Sequence, residues 1–246
     1  VLFYGVSIGG SIVNSGSVFS GSGVSGFYGA LSLYGSTVNG GITNSGVIQA
    51  STISVFLAGS LVKGVVLNDV TGTIYGGLAA FVDEGSTFTQ SINNKGLISS
   101  DNYPLVLAGS TVNGSFFNSG HIINTAEAVG VSGSLGAVGL LSSKIRGSVV
   151  NSGLIQGGVS YGLSLSENSS VDGGIQNLSL GTITGAVGVL LKTNSSVTGG
   201  LTNSGLIAGG ANAIYVDGTS SLDRIVIAGS NTASFGGAVY APNTPV

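Results

Sequence analysis

Hydrophobic and polar residues alternate around eight asparagines that recur along the chain. The residue two positions before each asparagine is always apolar, whereas the residue directly before it is polar in four of the eight repeats. The asparagines are Asn14, Asn44, Asn68, Asn94, Asn118, Asn151, Asn177 and Asn203. The seven intervals between the first and the last have a mean length of 27 residues. Because alternation with a period of two is typical of a strand that buries one face, each asparagine is predicted to end a strand.

A second apolar position follows each asparagine, after an intervening glycine and a residue of mixed character. The residue at this position is β-branched in all eight repeats, and β-branched residues suit a pleated strand. These residues are Val18, Ile48, Ile74, Ile98, Ile122, Ile155, Ile183 and Ile207. Two strands are therefore predicted to meet at a corner, where asparagine and glycine tolerate left-handed backbone angles.

The alternation also predicts that each asparagine side chain points inward, like the apolar residue two positions before it. Stacked coils would bring neighbouring amides about 4.8 Å apart, so that each amide donates to the oxygen of the next. One such hydrogen bond contributes roughly 1 kcal/mol, and a buried amide left unpaired costs about 1–3 kcal/mol. We therefore expect an asparagine ladder through all eight residues.

A third strand is predicted after each corner pair, before a turn such as "AGST" or "DGTSS". Its inward residues are, for example, Leu31 and Leu33 in one repeat and Ala80 and Val82 two repeats later. Three short strands and three corners in each coil indicate an all-β fold, a right-handed parallel β-solenoid. We expect about nine coils of about 27 residues in a single domain, residues 1–246, with a length on the order of 45 Å.

The residue between the two inward positions of the third strand is expected to face outward, and it is often large and apolar. A contiguous apolar patch usually marks an interaction surface, so we predict a lateral interface on this face. Its residues are Leu2, Phe56, Phe81, Val106, Leu190 and Tyr215. The alternative is that loops of the chain, such as "GSGVSGFYG", cover the stripe.

Both ends of the chain are in strand pattern, with "VLFYGVSIGG" at the start and "GGAVYAP" near the other end. Neither end shows an amphipathic cap helix or a charged edge, and uncapped edge strands pair readily with other strands. We predict an end-to-end interface that includes Val1, Phe3, Val239 and Tyr240. A head-to-tail contact of this kind does not close, so it would build a filament from copies of the chain.

Composition narrows the range of partners. Only 6% of the residues are charged and the net charge is −3, which excludes a basic nucleic-acid-binding surface. The sequence contains no run of about 18 consecutive apolar residues, so no membrane-spanning helix is predicted. The chain has no cysteine, no initiating methionine and no secretory signal pattern, so we expect a mature product or a piece of a longer protein.

Candidate catalytic groups are few and scattered. Asp83, Glu84, Glu167 and Asp217 fall near the same turn of different coils, and we interpret them as solvated surface residues. A calcium site at Asp83 and Glu84 would need about 6–8 oxygen ligands, more than the pattern supplies. His121, the only histidine, is predicted to face outward. We therefore expect no enzymatic activity, no metal and no cofactor.

Two segments carry a family resemblance. "GGITNSGVIQA" and "VTGGLTNSGLIAGGANAIYVDGTSSL" resemble the repeats of bacterial autotransporter passengers and related large surface proteins, and the resemblance extends from about Gly10 to about Ser221. It implies a secreted β-solenoid that is adhesive or structural, located outside the cell or on its surface.

Two functions from different classes are compatible with these patterns. The first is a structural subunit of a secreted bacterial extracellular fibre, in which the partner is another copy of the chain. The alternative is a binding segment of a larger autotransporter-like adhesin, with cell-surface or matrix glycans as ligands. A polysaccharide-active enzyme is a third and less favoured class.

Overall fold

A computed structural model describes residues 1–21, 29–125, 135–228, 234–242 and 244. The described residues form 34 strands joined by turns, with no helix, and the strands build three parallel sheets. The fold is a parallel β-solenoid of about eight turns of about 26 residues, with three strands in each coil. The predicted all-β solenoid is confirmed. The expected count of about nine coils corresponds to the nine stacked strands of two sheets, because eight turns separate nine strands.

One sheet contains the strands that end at the ladder asparagines, and we call it the asparagine sheet. Its nine strands are β3 (Ile12–Asn14), β7 (Ile42–Asn44), β11 (Val66–Asn68), β15 (Ile92–Asn94), β19 (Phe116–Asn118), β23 (Val149–Asn151), β27 (Ile175–Asn177), β30 (Leu201–Asn203) and β33 (Ile225–Ile227).

A second sheet consists of two-residue strands, and we call it the short sheet. Its nine strands are β2 (Ser7–Ile8), β6 (Thr37–Val38), β10 (Leu61–Val62), β14 (Thr87–Phe88), β18 (Thr111–Val112), β22 (Lys144–Ile145), β26 (Ser170–Val171), β29 (Ser196–Val197) and β32 (Ser221–Leu222).

The remaining strands belong to one 16-stranded sheet, the wide sheet. It unites the strands that follow the asparagine corner with the third strands, and the two kinds merge into single long strands in β28 and β31. Its strands are β1 (Leu2–Tyr4), β4 (Ser17–Ser20), β5 (Leu31–Tyr34), β8 (Val47–Ala50), β9 (Ile53–Ala58), β12 (Thr73–Gly76), β13 (Ala79–Glu84), β16 (Leu97–Ser100), β17 (Tyr103–Ala108), β20 (His121–Asn124), β21 (Gly136–Leu141), β24 (Leu154–Gln156), β25 (Tyr161–Ser166), β28 (Thr182–Leu191), β31 (Leu206–Val216) and β34 (Ser234–Tyr240).

Stacking in register creates the core. Equivalent residues of successive coils are direct neighbours, so that Ile42 lies beside Ile12 and Val66, and Ile48 lies beside Val18 and Ile74. The inward residues of the three sheets meet in one continuous apolar cluster that extends along the solenoid. Each coil therefore buries its apolar face mainly against the coils before and after it, as in other repeat proteins.

The register of strand β13 differs from the prediction by one residue. Phe81 lies opposite Val55 and Leu105, and Asp83 lies opposite Leu57 and Leu107, so these two residues occupy the inward columns. The register that was expected to place Ala80 and Val82 in these columns is wrong, although Ala80 is itself buried in the main core cluster. Apolar and polar residues alternate only weakly in the run "LAAFVDEG". Its last inward position is occupied by Asp83, which the hydrophobic pattern assigns to the surface.

The turn after β13 accounts for this register. Gly85 has a φ of +73° and continues a column of left-handed turn residues that includes Gly59 and Gly109. When Gly85 is aligned with these two glycines, Asp83 lies in the inward column of Leu57 and Leu107, which we call the leucine column. Turn geometry therefore determines the register here, and the local hydrophobic pattern does not.

Candidate functional site

The eight repeated asparagines form a continuous column of hydrogen-bonded amides. Each Nδ2 donates to the Oδ1 of the next coil, and the seven distances are 2.8 or 2.9 Å. The bonds run from Asn14 to Asn44, Asn68, Asn94, Asn118, Asn151, Asn177 and Asn203 in turn. All seven amides donate in the same direction, toward the C-terminal end. The side-chain hydrogen bonds of the ladder therefore give the solenoid axis a direction, in addition to the direction of the backbone.

Each ladder amide is also tied to the backbone. The Nδ2 of Asn68, for example, donates to the carbonyl oxygen of Gly72 at 3.2 Å and to that of Leu97 in the next coil at 3.1 Å. The seven asparagines from Asn44 to Asn203 are buried. Because a buried amide without partners would cost about 1–3 kcal/mol, these contacts make the ladder compatible with the apolar interior.

The glycine after the ladder asparagine is required for a different reason from the one expected. The residues with positive φ lie at other turns, and Gly120 is not among them. A Cβ at Gly120 would instead collide with the carbonyl oxygen of Gly96 in the preceding coil. The corner glycine therefore allows close approach of neighbouring coils and does not supply a left-handed angle.

The predicted lateral stripe is largely inside the molecule. Phe56, Phe81, Val106 and Leu190 are buried, so the prediction that they form an exposed interface is wrong. Phe81 faces the core because of the register of β13. Leu2 is exposed, and Tyr215 is half-buried against the ring of Tyr240, with 5.1 Å between the ring centroids.

Burial of the stripe has an identifiable cause at one position. Phe56 packs in a small second cluster with Ile53 and Ala79, and its ring lies 5.3 Å from that of Tyr34. The face opposite the main core therefore has local packing of its own. The loop "GSGVSGFYG" was the alternative cover for this stripe, and its residues 22–28 lie outside the described residues.

The outermost coils differ from those between them. In the first coil, the inward residues Phe3, Ile8, Ile12 and Val18 are only partly buried, although they belong to the columns of the continuous core. Val1 and Val13 are exposed. The core is therefore open at this end, because no coil among the described residues packs beyond the first one.

The opposite end is partly covered. Leu222 and Ile225, which face inward in the last coil, are buried, and Ala241 packs against the core. Val226, Ile227, Val239 and Tyr240 remain exposed. Ile227 occupies the ladder column next to Asn203, and its side chain is 58% exposed. Of the four residues predicted for the end-to-end interface, Phe3, Val239 and Tyr240 thus lie in terminal strands and Val1 directly precedes one, and Phe3 is the least accessible of the four.

The acidic residues near the turn that follows the third strand of each coil have different environments. Glu84 is exposed and Glu167 belongs to a left-handed turn with a φ of +57°, whereas the Asp83 side chain is buried in the leucine column. Neither carboxylate oxygen of Asp83 has a hydrogen-bond partner among the described residues. Burial raises the pKa of Asp83 to about 6; the hydroxyls of Ser110 and Ser86 lie near enough to offset this only in part. The interpretation of Asp83 as a solvated surface residue is therefore wrong.

Asp217 organises the turn that follows β31. Its Oδ2 accepts a hydrogen bond from the backbone N–H of Thr193 at 2.8 Å, and its Oδ1 accepts those of Thr219 and Ser220 at 3.0 and 2.8 Å. Burial opposes ionisation of this carboxyl, but the hydrogen bonds outweigh it and lower the pKa of Asp217 to about 2. Asp217 is thus a structural turn residue that ties two neighbouring coils together.

Two shallow grooves lie on the outer surface. One, of about 480 Å³, has Phe19, Gln49 and Tyr75 side by side in one column of the wide sheet. The other, of about 300 Å³, lies at the asparagine corner beside Lys95 and His121, and His121 is exposed as predicted from its column. The described part of the chain contains no cluster of three or more metal-ligating side chains.

In the residues that the structure describes, no helix has the length and apolar character needed to cross a bilayer. No protein-family model matches the chain, and no curated protein or solved structure is significantly similar to it.

Proposed function

We propose that this chain is a structural subunit of a secreted bacterial extracellular fibre, in which copies stack head to tail through the ends of their solenoids. The observation that carries the proposal is the open end of the core, where Phe3, Ile8, Ile12 and Val18 are only partly buried. Every inner coil covers the same columns with another coil. A coil from a second copy would cover these columns in the same way.

Strand edges support the same proposal. The asparagine sheet begins at β3 and ends at β33, and within the described residues neither strand has a partner on its outer side. Such edges present unpaired N–H and C=O groups that promote pairing with another chain. Because the two edges belong to opposite ends of the solenoid, the contact is heterologous and repeats without closing.

The test is assembly of the purified chain, followed by light scattering and negative-stain electron microscopy over a range of concentrations. Val13→Lys places a charge on the outer edge strand, at a side chain that is 66% exposed, and should abolish filaments without unfolding the monomer. Val70→Lys is the matched control, because Val70 is 70% exposed and lies away from both ends. Filaments that form equally well with both variants, or no filaments from the unmodified chain, would reject end stacking.

Secretion and surface location belong to the same proposal. The low charge of the chain and its resemblance to bacterial surface proteins support them. Cell fractionation of the native producer, together with protease treatment of intact cells, tests them directly. Recovery of the protein only from the cytoplasmic fraction would contradict this part of the proposal. The fibre role involves no catalysis.

A second candidate function is glycan adhesion, and one observation favours it. The groove at Phe19, Gln49 and Tyr75 combines two aromatic rings with an amide, a set of side chains that suits a neutral sugar. A glycan array with the unmodified protein and a Phe19→Ala/Tyr75→Ala variant tests this function. Binding that the double substitution leaves unchanged would exclude this groove as the site.

A further inference from the structure

We propose that the Asn113–Gly114 pair is a site of spontaneous deamidation, at which the Asn113 side chain loses its amide nitrogen as ammonia. The chain contains one other Asn-Gly pair, Asn39–Gly40, and each pair directly follows a strand of the short sheet within an identical run "TVNG". Glycine after asparagine favours this reaction, because a residue without a Cβ leaves the backbone nitrogen free to approach the asparagine side chain. The inference does not depend on the fibre function.

The reaction requires only the backbone nitrogen of Gly114 and water. The nitrogen gives up its proton to a base in solution and attacks Cγ of Asn113, so that an N–Cγ bond forms and the Cγ–Nδ2 bond breaks with release of ammonia. Water then opens the resulting cyclic imide at one of its two carbonyls, which leaves aspartate or isoaspartate at position 113. No oxidant or reductant takes part, and the net charge of −3 becomes more negative by one.

Hydrogen bonds hold both reacting groups at the first Asn-Gly pair. The N–H of Gly40 donates to the carbonyl oxygen of Gly10 at 2.9 Å. Nδ2 of Asn39 donates to the carbonyl oxygen of Ile8 at 3.2 Å and to Oγ of Ser7 at 3.4 Å. These bonds must break before the Gly40 nitrogen can attack, so the folded state protects this pair although Asn39 is exposed.

The second pair has neither restraint, and Asn113 is also exposed. Within the described residues, the N–H of Gly114 has no acceptor and the side-chain amide of Asn113 forms no hydrogen bond. The two adjacent backbone N–H groups are bonded: that of Asn113 donates to the carbonyl oxygen of Phe88 at 2.8 Å, and that of Ser115 donates to Oγ of Ser91 at 3.0 Å. The unbonded N–H is therefore confined to the peptide unit that reacts.

The unbonded N–H lies at a break in a column of bonded corner residues. In the next two coils the equivalent glycines are linked, since the N–H of Gly147 donates to Gly114 at 3.0 Å and that of Gly173 donates to Gly147 at 2.9 Å. The coil before Gly114 has Gln90 in this position, and the carbonyl oxygen of Gln90 does not accept the N–H of Gly114. Deamidation at Asn113 thus needs no loss of a backbone hydrogen bond from the reacting nitrogen.

The surroundings of Asn113 are compatible with an aspartate product. The pairing of β18 with β22 places the residues that follow these strands, Asn113 and Arg146, side by side in neighbouring coils. Arg146 is exposed and has no ion pair in the part of the chain that the structure describes, whereas Lys144 pairs with Asp172 at 3.0 Å. A carboxylate at position 113 would therefore lie beside an unpaired guanidinium.

The test is prolonged incubation of the folded protein at mildly alkaline pH, followed by tryptic digestion and tandem mass spectrometry. Cleavage after lysine places Asn39 in the peptide of residues 1–63 and Asn113 in that of residues 96–144, and fragment ions locate the mass change of an amide converted to a carboxyl. Deamidation should be at least about five-fold faster at Asn113 than at Asn39, the factor that one hydrogen bond supplies. In urea the two identical "TVNG" runs lose their native hydrogen bonds, so the two rates should converge.

Asn113→Gln is the control variant, because the longer side chain forms the cyclic imide far more slowly. It should remove the mass change from its peptide, which also contains the buried ladder residue Asn118. Equal rates at Asn113 and Asn39 in the folded protein, or no deamidation at Asn113, would overturn the proposal. A difference between the two sites that persists unchanged in urea would also overturn it, because the cause would then be the flanking sequence and not the fold.

Discussion

Replacement of Asp83 by asparagine should abolish a pH dependence of stability that this carboxyl imposes on the solenoid. Asp83 lies between Leu57 and Leu107 in the core column, its side chain is 0% exposed, and neither carboxylate oxygen has a hydrogen-bond partner among the described residues. The Asp83→Asn change removes the ionisation while nearly preserving the volume of the side chain.

The magnitude follows from the pKa of Asp83, which burial raises from 3.8 to about 6. Each pKa unit corresponds to about 1.4 kcal/mol, so a shift of this size makes the ionised form cost about 3 kcal/mol in the folded state. The folded protein holds its proton more tightly than the unfolded chain does. The contribution of Asp83 to stability is therefore most favourable below pH 4, falls as the pH rises from about 4 to about 6, and is less favourable by about 3 kcal/mol at neutral pH.

The assay is urea denaturation followed by far-UV circular dichroism at several pH values between 4 and 8. The difference in unfolding free energy between Asp83→Asn and the unmodified protein should grow by about 3 kcal/mol across this range. Among the strands packed against β13, the nearby titratable side chains are Tyr75 and Tyr103, and Glu84 lies on β13 itself. Glu84→Gln is therefore the control variant. A difference that stays constant with pH for Asp83→Asn would refute the reasoning.

Three further predictions concern the ladder and the turns. Asn118→Ala should reduce the unfolding free energy by about 2–4 kcal/mol in urea denaturation, because it removes two amide bonds and leaves buried groups unpaired; Asn14→Ala, at the end of the ladder, should cost less. Thr193→Gly should raise the melting temperature, since Thr193 has a φ of +55° and a left-handed β-branched residue costs about 1–2 kcal/mol, whereas Gly59→Thr should lower it. Asp217→Ala should speed hydrogen exchange at the amides of Thr193 and Ser220, because both donate to the Asp217 carboxylate. In the unmodified protein, the protection of these two amides by Asp217 should persist above pH 4 and be lost as the pH falls through about 2.

The repeat could be recognised from the sequence because each column reports the same environment many times. Eight asparagines with an apolar residue two positions earlier specify the face of the strand, the corner and the stacking at once. A single unusual residue in one repeat does not obscure such a pattern. The parallel solenoid and its three strands per coil were therefore predictable from local alternation alone.

The features that sequence reasoning missed depend on a single position or on packing between elements. Asp83 faces the core because Gly85 aligns with the other turn glycines, and an inward carboxylate violates the hydrophobic pattern on which the prediction rested. Phe56 and Val106 alternate like surface residues but are buried, and for Phe56 the cause is its packing against Ile53 and Ala79. The glycine at the asparagine corner was assigned to a left-handed turn, although contact between coils is the actual constraint. An alternation pattern contains no information about what covers a face.

Geometry favours an open filament over a closed dimer at the exposed ends. If two copies met through their first coils, a two-fold axis would reverse the order of the three sheets in one copy relative to the other. Only one sheet could then face its equivalent, and β3 would meet β3 in antiparallel orientation, with each Ile12 opposite Asn14. A head-to-tail arrangement keeps the strands of all three sheets parallel across the joint, although β34 adds a tenth row to the wide sheet where the other two sheets have nine. Because the amides of the ladder all donate toward the same end, a translation also preserves their direction, whereas a two-fold axis would oppose them.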